Sequence, residues 1–342
     1  MSESKAIILG CAGKRLMDEE RGFFRGEKPC GFILFARNIG EAGEIRDLVG
    51  ELRATVGRDD APVFIDQEGG RVQRIRAPLA PSYPTAVALG NLHRRDPKAG
   101  VRAAWLMSRL HAFDLMRFGI NADCLPVLDV PVEGAHDVIG DRAYSNDPAV
   151  VARMGRAAAD GLMAGGALPV MKHVPGHGRA FSDSHLALPV VDAGLEELRA
   201  RDFAPFQALS DLPMAMTAHV VYTALDPDSP ATTSPKVISE IIRGEIGFDG
   251  LLMSDDVSMK ALSGDFRQKT RAILAAGCDV VLHCNGAMDE MRAVADQATV
   301  LAGAALERAG RALSLLGRDD GAGHYADGLI RADGAGVRPA GK

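Results

Sequence analysis

Short apolar runs alternate along the chain with longer segments in which apolar and polar residues recur at helical spacing. The runs are continuously apolar, which is typical of parallel strands covered on both faces. Helical patterns lie between them, as at 101–118 and 149–164. Eight runs are predicted as strands: AIIL (6–9), GFILF (31–35), PVFID (62–66), LPVLDV (125–130), LPVMK (168–172), PMAMTAH (213–219), GLLMSD (250–255) and DVVLHC (279–284).

Eight strands, most of them followed by a helix, predict a (β/α)8 TIM barrel. An open doubly wound α/β sheet is the alternative, because the number of strands does not distinguish the two. The first strand is followed by LGCAGKRL, which lacks the GxGxxG spacing of a dinucleotide-binding turn. We therefore expect one barrel domain over residues 1–317, followed by a Gly- and Ala-rich tail at 318–342.

Several helix ends carry recognisable signals. In TTSPKVISEIIRG, Ser234 is predicted as an N-cap with Pro235 in the first helical turn, and Gly277 is predicted to end the helix of FRQKTRAILAA. The NDP that follows Arg142, Ala143 and Tyr144 also predicts a helix start. Arg142 is then a loop cation without an obvious structural partner.

Composition narrows the range of partners. A net charge of −6 argues against nucleic acid, since phosphate binding requires a basic field. No apolar run approaches the roughly 18 residues of a membrane span. The apolar run within the first residues, MSESKAIILGCAG, is too short for the hydrophobic region of a signal peptide. We expect a cytoplasmic monomer without membrane or nucleic-acid partners. The five cysteines lack a CxxC pair and are predicted as buried thiols in a reducing compartment: Cys11, Cys30, Cys124, Cys278 and Cys284.

Polar side chains recur at the carboxyl ends of the predicted strands, where the functional groups of a barrel enzyme gather. Any one of them could be a structural cap, but their recurrence at the same end of successive strands predicts a site. These side chains are Asp66, Asp129, Lys172, His173, His219, Asp255 and His283.

Two of these strand ends suggest specific chemistry. In FIDQEGGRVQRIR, a carboxylate at Asp66 and an arginine such as Arg74 could together bind a polyhydroxylated ligand, although a strand-ending turn with a surface ion pair would use the same residues. In LLMSDDVSM, Asp255 could be a nucleophile or a general base, and Asp256 is expected to cap the next helix.

The stretch KHVPGHGRAFSDSHLALP contains three histidines, His173, His177 and His185. A metal site is disfavoured, because Pro175 interrupts the helix that would place the HxxxH pair on one face. Asp183 and His185 are two residues apart, so in an extended segment the carboxylate can orient the imidazole as in a catalytic dyad. A solvated loop is the alternative, and we interpret His177 as structural.

Several blocks together resemble the bacterial β-N-acetylglucosaminidases of glycoside hydrolase family 3. They are GFILFARNIG, DQEGGRVQR, GDRAYSNDP, KHVPGHG, DSHLALP, MTAHVVY and GFDGLLMSDDVSM, in this order from about residue 31 to residue 260. Each block alone is weak, but the ordered set is specific. The fold of this subgroup is a single (β/α)8 barrel, in agreement with the strand pattern.

The resemblance implies hydrolysis of terminal β-linked N-acetylglucosamine, with retention at the anomeric carbon. The implied substrates are muropeptides such as N-acetylglucosaminyl-1,6-anhydro-N-acetylmuramic acid, in cytoplasmic cell-wall recycling. No metal or organic cofactor is implied. The resemblance assigns the nucleophile to Asp255, the general acid/base to His185 assisted by Asp183, and sugar binding to Asp66, Arg74, Arg142, Lys172 and His173.

Two other functions remain as alternatives. Phosphorolysis is compatible with a histidine acid/base, because an imidazole does not repel phosphate as a carboxylate does. A catalytically silent sugar-binding barrel belongs to a different class, and it is disfavoured by the presence of Asp255 together with Asp183 and His185.

The proposed acid/base dyad makes a prediction about leaving groups. Asp183→Asn and His185→Ala should lose activity strongly on substrates with poor leaving groups and less on activated aryl glycosides, because only the former need a proton on the departing oxygen. Steady-state kinetics on both substrate types measures this difference. Equal losses on both would contradict His185 as the proton donor.

Overall fold

The computed structural model describes residues 1–180 and 187–317. The predicted tail at 318–342 lies outside these residues. The described strands are β1 (Lys5–Gly10), β2 (Pro29–Leu34), β3 (Val63–Ile65), β4 (Gln67–Gly69), β5 (Val72–Gln73), β6 (Ala122–Asp123), β7 (Leu168–Val174), β8 (Val190–Val191), β9 (Met214–Thr217), β10 (Val221–Tyr222), β11 (Leu251–Asp256) and β12 (Val280–His283).

Helices surround the strands. The α-helices are α1 (Asp18–Glu27), α2 (Ala42–Val56), α3 (Ala86–Arg95), α4 (Pro97–Met116), α5 (Pro148–Ala164), α6 (Leu195–Glu197), α7 (Ala204–Ala208), α8 (Phe266–Ala276), α9 (Met288–Ala295) and α10 (Gly303–Leu313). Two π-helices span Leu198–Phe203 and Val237–Glu245, and short 3₁₀ helices span Ala36–Asn38, Gly140–Arg142 and Ala231–Thr233.

Eight parallel strands close into a barrel in the order β1-β2-β3-β6-β7-β9-β11-β12, with β12 pairing back onto β1. This closure confirms the predicted (β/α)8 barrel and excludes the open sheet. Outside the barrel, β4 and β5 form a small hairpin directly after β3, and β8 pairs with β10. The hairpin and the segments after β7 and β11 all lie at the carboxyl end of the barrel.

Two layers of apolar side chains account for the continuously apolar strands. Along β1, Ala6 and Ile8 belong to the cluster inside the barrel, whereas Ile7 and Leu9 pack in the larger cluster formed with the surrounding helices. Ala309 and Ala312 of α10 join the interior cluster. Because the preceding Leu301 also donates its N–H to the carbonyl of Ser4, α10 covers the amino-terminal end of the barrel.

The fourth barrel strand differs from the prediction, which placed it at 125–130. The strand is β6, which pairs with β3 on one side and β7 on the other. The predicted segment continues along β7, since Lys172 donates its N–H to the carbonyl of Pro126 and Leu128 donates to that of Lys172. Pro126 has no N–H to donate to β3. The chain therefore pairs with both β3 and β7 before Pro126, and only with β7 after it.

Several local predictions are confirmed. Ser234 accepts a hydrogen bond from the N–H of Val237, and Gly277 ends α8 with a φ of 105°. Asp147 caps α5 by accepting from the N–H of Ala149. All five cysteines are buried free thiols. Among the described residues, no helix combines the length and the apolar character needed to cross a bilayer.

A close approach between α4 and α5 generates a stability prediction. A Cβ added at Gly161 would collide with the carbonyl oxygen of Trp105, whereas one added at Gly50, an exposed position of α2, would meet nothing. Gly161→Ala should lower the free energy of unfolding by about 1–3 kcal/mol. Gly50→Ala should raise it by about 0.5–1 kcal/mol, because alanine loses less backbone entropy in a helix. Chemical denaturation measures both changes, and equal effects would contradict the proposed contact.

Candidate active site

A cavity of about 440 Å³ opens at the carboxyl end of the barrel. Side chains at the ends of several strands line it, as the strand pattern predicted. Asp66 follows β3, Lys172 and His173 belong to β7, and Asp255 belongs to β11. Arg74 and Arg142 reach the same cavity from the segments after β5 and before α5. The structure therefore brings together all six of the described residues to which the family resemblance assigns a role.

Charged side chains form a connected network along one wall of this cavity. The ammonium of Lys172 lies 2.9 Å from Asp66 Oδ1 and 2.6 Å from Glu68 Oε1. Asp66 Oδ2 also accepts a hydrogen bond of 2.9 Å from Arg74 Nη2. Only 2% of the Lys172 side chain is exposed, so its charge is balanced by these carboxylates and not by solvent.

Glu68 is a member of this network that the sequence did not single out. Its two oxygens accept hydrogen bonds of 2.8 Å each from Nε and Nη2 of Arg142. Asp66 and Glu68 are two residues apart, and β4 begins between them. Because alternate residues of an extended chain share a face, this spacing was a signal that the two carboxylates point the same way.

The network changes the acidity of its members. Burial by itself disfavours the charged form of each group, but the opposite charges within the network outweigh it. The pKa of Glu68 is consequently lowered to about 2, mainly by Arg142 and Lys172, and the pKa of Asp66 is also lowered, by Lys172 and Arg74. The pKa of Lys172 is raised by Asp66 and Glu68. These three side chains are therefore ionised at neutral pH.

Arg71 attaches the same hairpin to the segment that carries Arg142. Its Nη2 donates to the carbonyl oxygens of Asp137 and Val138, at 2.7 and 2.9 Å, and its Nε donates to Asp141 at 2.8 Å. The β4–β5 hairpin thus contacts this segment through Arg71 as well as through Glu68. The GDR block of the sequence is held in place by the DQEGGR block.

Asp129 organises the residues that follow Lys172. Its Oδ2 lies 2.7 Å from Nδ1 of His173, and its Oδ1 accepts the backbone N–H groups of His173 and His177. Burial opposes the charge of Asp129, but His173 outweighs it and the pKa of the carboxyl is about 2. Asp129 thereby fixes the orientation of the His173 ring in the cavity wall. The backbone bond of His177 agrees with its interpretation as a structural residue.

Asp255 lies in the cavity wall and accepts a hydrogen bond of 2.8 Å from the N–H of Asp256. Burial would raise the pKa of Asp255, but the neighbouring His173 and His219 outweigh it and the net shift is downward. The ionised carboxylate is the form that a nucleophile requires.

The prediction that Asp256 caps the next helix is wrong. Its carboxylate instead binds Ser258 and accepts a hydrogen bond from the N–H of Cys284, whereas α8 is capped by Asp265. The chain forms a turn after β11 and not a helix, so a carboxylate at this position stabilises the turn. Asp256 still lines the cavity.

Two of the strand-end histidines lie behind the cavity. His219 bonds Thr232 and the carbonyl oxygen of Asp256, at 2.8 and 3.1 Å, and His283 lies 2.9 Å from Glu290. Asp183 and His185 lie outside the described residues, so their positions relative to Asp255 remain predictions. Within 1–180 and 187–317, no group of three or more His, Cys, Asp or Glu side chains is arranged to hold a metal ion.

Comparison with known proteins identifies the class of enzyme. Residues 4–313 match the glycosyl hydrolase family 3 N-terminal domain. The chain therefore belongs to glycoside hydrolase family 3. The "Beta-hexosaminidase" of Stenotrophomonas maltophilia strain R551-3 is 37% identical over 316 residues, covering 91% of each protein. That of Bordetella avium is 38% identical over 283 residues, covering 82% of this chain and 80% of the relative.

A solved structure agrees with these relatives. Native NagZ from Neisseria gonorrhoeae superposes with a TM-score of 0.85 and 33% sequence identity, over 97% of this chain and 95% of that one. The protein is accordingly a glycoside hydrolase of the β-N-acetylhexosaminidase type, and its substrate is a carbohydrate.

The contacts of Asp129 generate a prediction about acid stability. Its folded pKa of about 2 lies below the unfolded value of about 3.9, so its stabilising contribution is present above about pH 4 and is lost as the pH falls towards 2. Asp129→Asn should lower the free energy of unfolding at pH 7 by about 2 kcal/mol or more. The difference from the wild type should shrink as the pH falls from 5 towards 2.

Urea denaturation at a series of pH values measures this difference. Asp47→Asn, at an exposed position of α2, is the control and should leave the wild-type curve almost unchanged. A difference for Asp129→Asn that stays constant across the pH range would contradict the assigned role of the carboxylate.

Proposed function

We propose that the protein is a retaining exo-β-N-acetylglucosaminidase that removes terminal β-linked N-acetylglucosamine from muropeptides. The observation that carries this proposal is the position of Asp255, an ionised carboxylate in the wall of the same cavity as the network of Asp66, Arg74 and Lys172. A nucleophilic carboxylate beside fixed hydrogen-bonding groups is the arrangement that retaining hydrolysis of a sugar needs.

The cavity residues are proposed to hold the terminal sugar. Asp66 accepts hydrogen bonds from its hydroxyl groups, while Arg74, Arg142 and Lys172 donate to its oxygens. His173, whose Nδ1 is held by Asp129, presents its other ring nitrogen to the ligand. Because these side chains are already held by one another, little rotamer freedom is lost when the sugar binds.

In the proposed reaction, the Asp255 carboxylate attacks the anomeric carbon and displaces the aglycone oxygen, which takes a proton from the His185 imidazolium. The neutral imidazole then accepts a proton from water, and that water releases the sugar from Asp255 with net retention. Asp183 orients His185 and favours its charged form.

The engagement of the other carboxylates supports a histidine in this role. Asp66 binds two cations, and Asp256 binds Ser258 and the backbone of Cys284. Both carboxylates are thus already engaged by other groups, which favours a different side chain as the proton donor. Asp183 and His185 are the residues that the family resemblance supplies.

The muropeptide substrate rests on the resemblance of the motif blocks, which also suggests a cytoplasmic enzyme that acts in peptidoglycan recycling. N-Acetylglucosaminyl-1,6-anhydro-N-acetylmuramic acid, with or without its peptide, is the substrate to test. Cleavage of aryl N-acetylglucosaminides without cleavage of this disaccharide would contradict the muropeptide assignment and leave the glycosidase intact.

Trapping of the covalent intermediate tests the nucleophile. A 5-fluoro N-acetylglucosaminide with an activated leaving group should inactivate the enzyme, because the fluorine slows release of the glycosyl group from the carboxylate. Mass spectrometry of the digested protein should then find the sugar on Asp255. Asp255→Asn should lose at least about 10³-fold in kcat and carry no label.

Other outcomes distinguish the alternatives. An active preparation without label on Asp255 would reject the proposed nucleophile. Acceleration by inorganic phosphate with release of a sugar 1-phosphate would identify a phosphorylase. Binding of N-acetylglucosamine without turnover of any glycoside would identify a silent sugar-binding barrel.

A further inference from the structure

Glu68 is the carboxylate that connects Arg142 and Lys172, two cations of the cavity wall that come from different segments of the chain. Its oxygens bind Arg142 in a two-point contact and Lys172 in a single contact. Only 4% of its side chain is exposed, and it does not belong to the described lining of the cavity. It therefore lies behind the two cations, on the side away from any ligand.

The two cations depend on Glu68 to different degrees. Lys172 has a second carboxylate partner in Asp66. Arg142 has no second carboxylate among its described partners, because its remaining hydrogen bond runs from Nη1 to the carbonyl oxygen of Val138, at 3.1 Å. The planar guanidinium is oriented chiefly by its paired bonds to Glu68, since two parallel bonds fix both its position and its plane.

Both cations keep donors that these bonds do not use. A lysine ammonium has three N–H donors; one is used in the hydrogen bond to Asp66, while the contact with Glu68 is an ion pair. A guanidinium has five, and the bonds to Glu68 and Val138 occupy three. The remaining donors are available for a ligand in the cavity that both side chains line.

We propose that Glu68 is a positioning residue for substrate binding, which holds Arg142 and Lys172 so that their remaining donors meet the oxygens of the terminal sugar. This inference rests on the proposed function, because it takes the cavity to be the sugar site. It adds a side chain that acts through the two cations and does not itself touch the ligand.

A buried ion pair that only stabilises the fold would look the same as Glu68. The test therefore needs a control carboxylate that is equally buried and paired with cations but lies away from the cavity. Asp279 supplies it. Its side chain is also 4% exposed and binds two arginines, Arg243 at 2.7 Å and Arg308 at 3.0 Å. It directly precedes β12, close to α10, and is thus at the opposite end of the barrel from the cavity.

Glu68→Gln and Asp279→Asn each remove one buried charge with almost no change of volume. Both should lower the midpoint of thermal unfolding. Only Glu68→Gln should raise the KM for an aryl N-acetylglucosaminide and the inhibition constant of free N-acetylglucosamine, each by about tenfold or more. The reason is that a neutral amide at position 68 holds Arg142 and Lys172 less firmly, so their hydrogen bonds to the sugar are weakened. Asp279→Asn should keep both constants at the wild-type values.

Two further variants separate positioning from general damage. Glu68→Asp keeps the charge at a shorter reach and should recover part of the lost affinity. In a double-mutant cycle, the combined effect of Glu68→Gln and Arg142→Met on KM should be smaller than the product of their single effects, because Glu68 acts partly through Arg142. A combined change in KM equal to the product of the two single changes would contradict this coupling.

The failure of this inference is distinguishable from a failure of the proposed function. A wild-type enzyme that neither cleaves the aryl glycoside nor forms the Asp255 adduct would reject the function, whatever Glu68 does. A wild type that is active and labelled, together with a Glu68→Gln variant that binds sugar as tightly as Asp279→Asn does, would reject the positioning role alone.

Discussion

The mouth of the barrel is organised around one buried positive charge, that of Lys172. A buried ammonium is costly unless carboxylates are close enough to neutralise it. Asp66 and Glu68 do so, and each carboxylate also binds an arginine, so that five charges form a continuous chain. This chain joins β7, the β4–β5 hairpin and the segment before α5. The shape of the cavity wall follows from that connection.

The barrel was predictable from the sequence because its strands leave a clear pattern of continuously apolar runs. Each barrel strand is covered inside by the core and outside by helices, so it is apolar on both faces. The same property hides the hydrogen-bond register, and this is why the fourth strand was placed at 125–130 instead of at β6. It also hides the direction of each side chain, so His219 and His283 were grouped with the cavity residues although they point into the wall.

The site was predictable where its residues stand at strand ends or in family motifs. Asp66, Lys172, His173 and Asp255 meet at the cavity for this reason. Glu68 was missed although it stands in the DQEGGRVQR block two residues after Asp66, because its cation partners Arg142 and Lys172 come from distant segments. The turn-stabilising role of Asp256 depends likewise on a contact with Cys284, in the next strand-end segment.

The sharing of the Glu68 carboxylate between Arg142 and Lys172 has a consequence for sequence divergence. Arg142 lies 74 positions after Glu68, yet the two side chains form a single bonded unit. If drift replaces Glu68 with a neutral residue, Arg142 is left without its carboxylate partner and Lys172 with only one. Positions 68, 142 and 172 are therefore expected to change together in descendants of this chain, whereas the exposed positions of the surrounding helices are free to diverge independently.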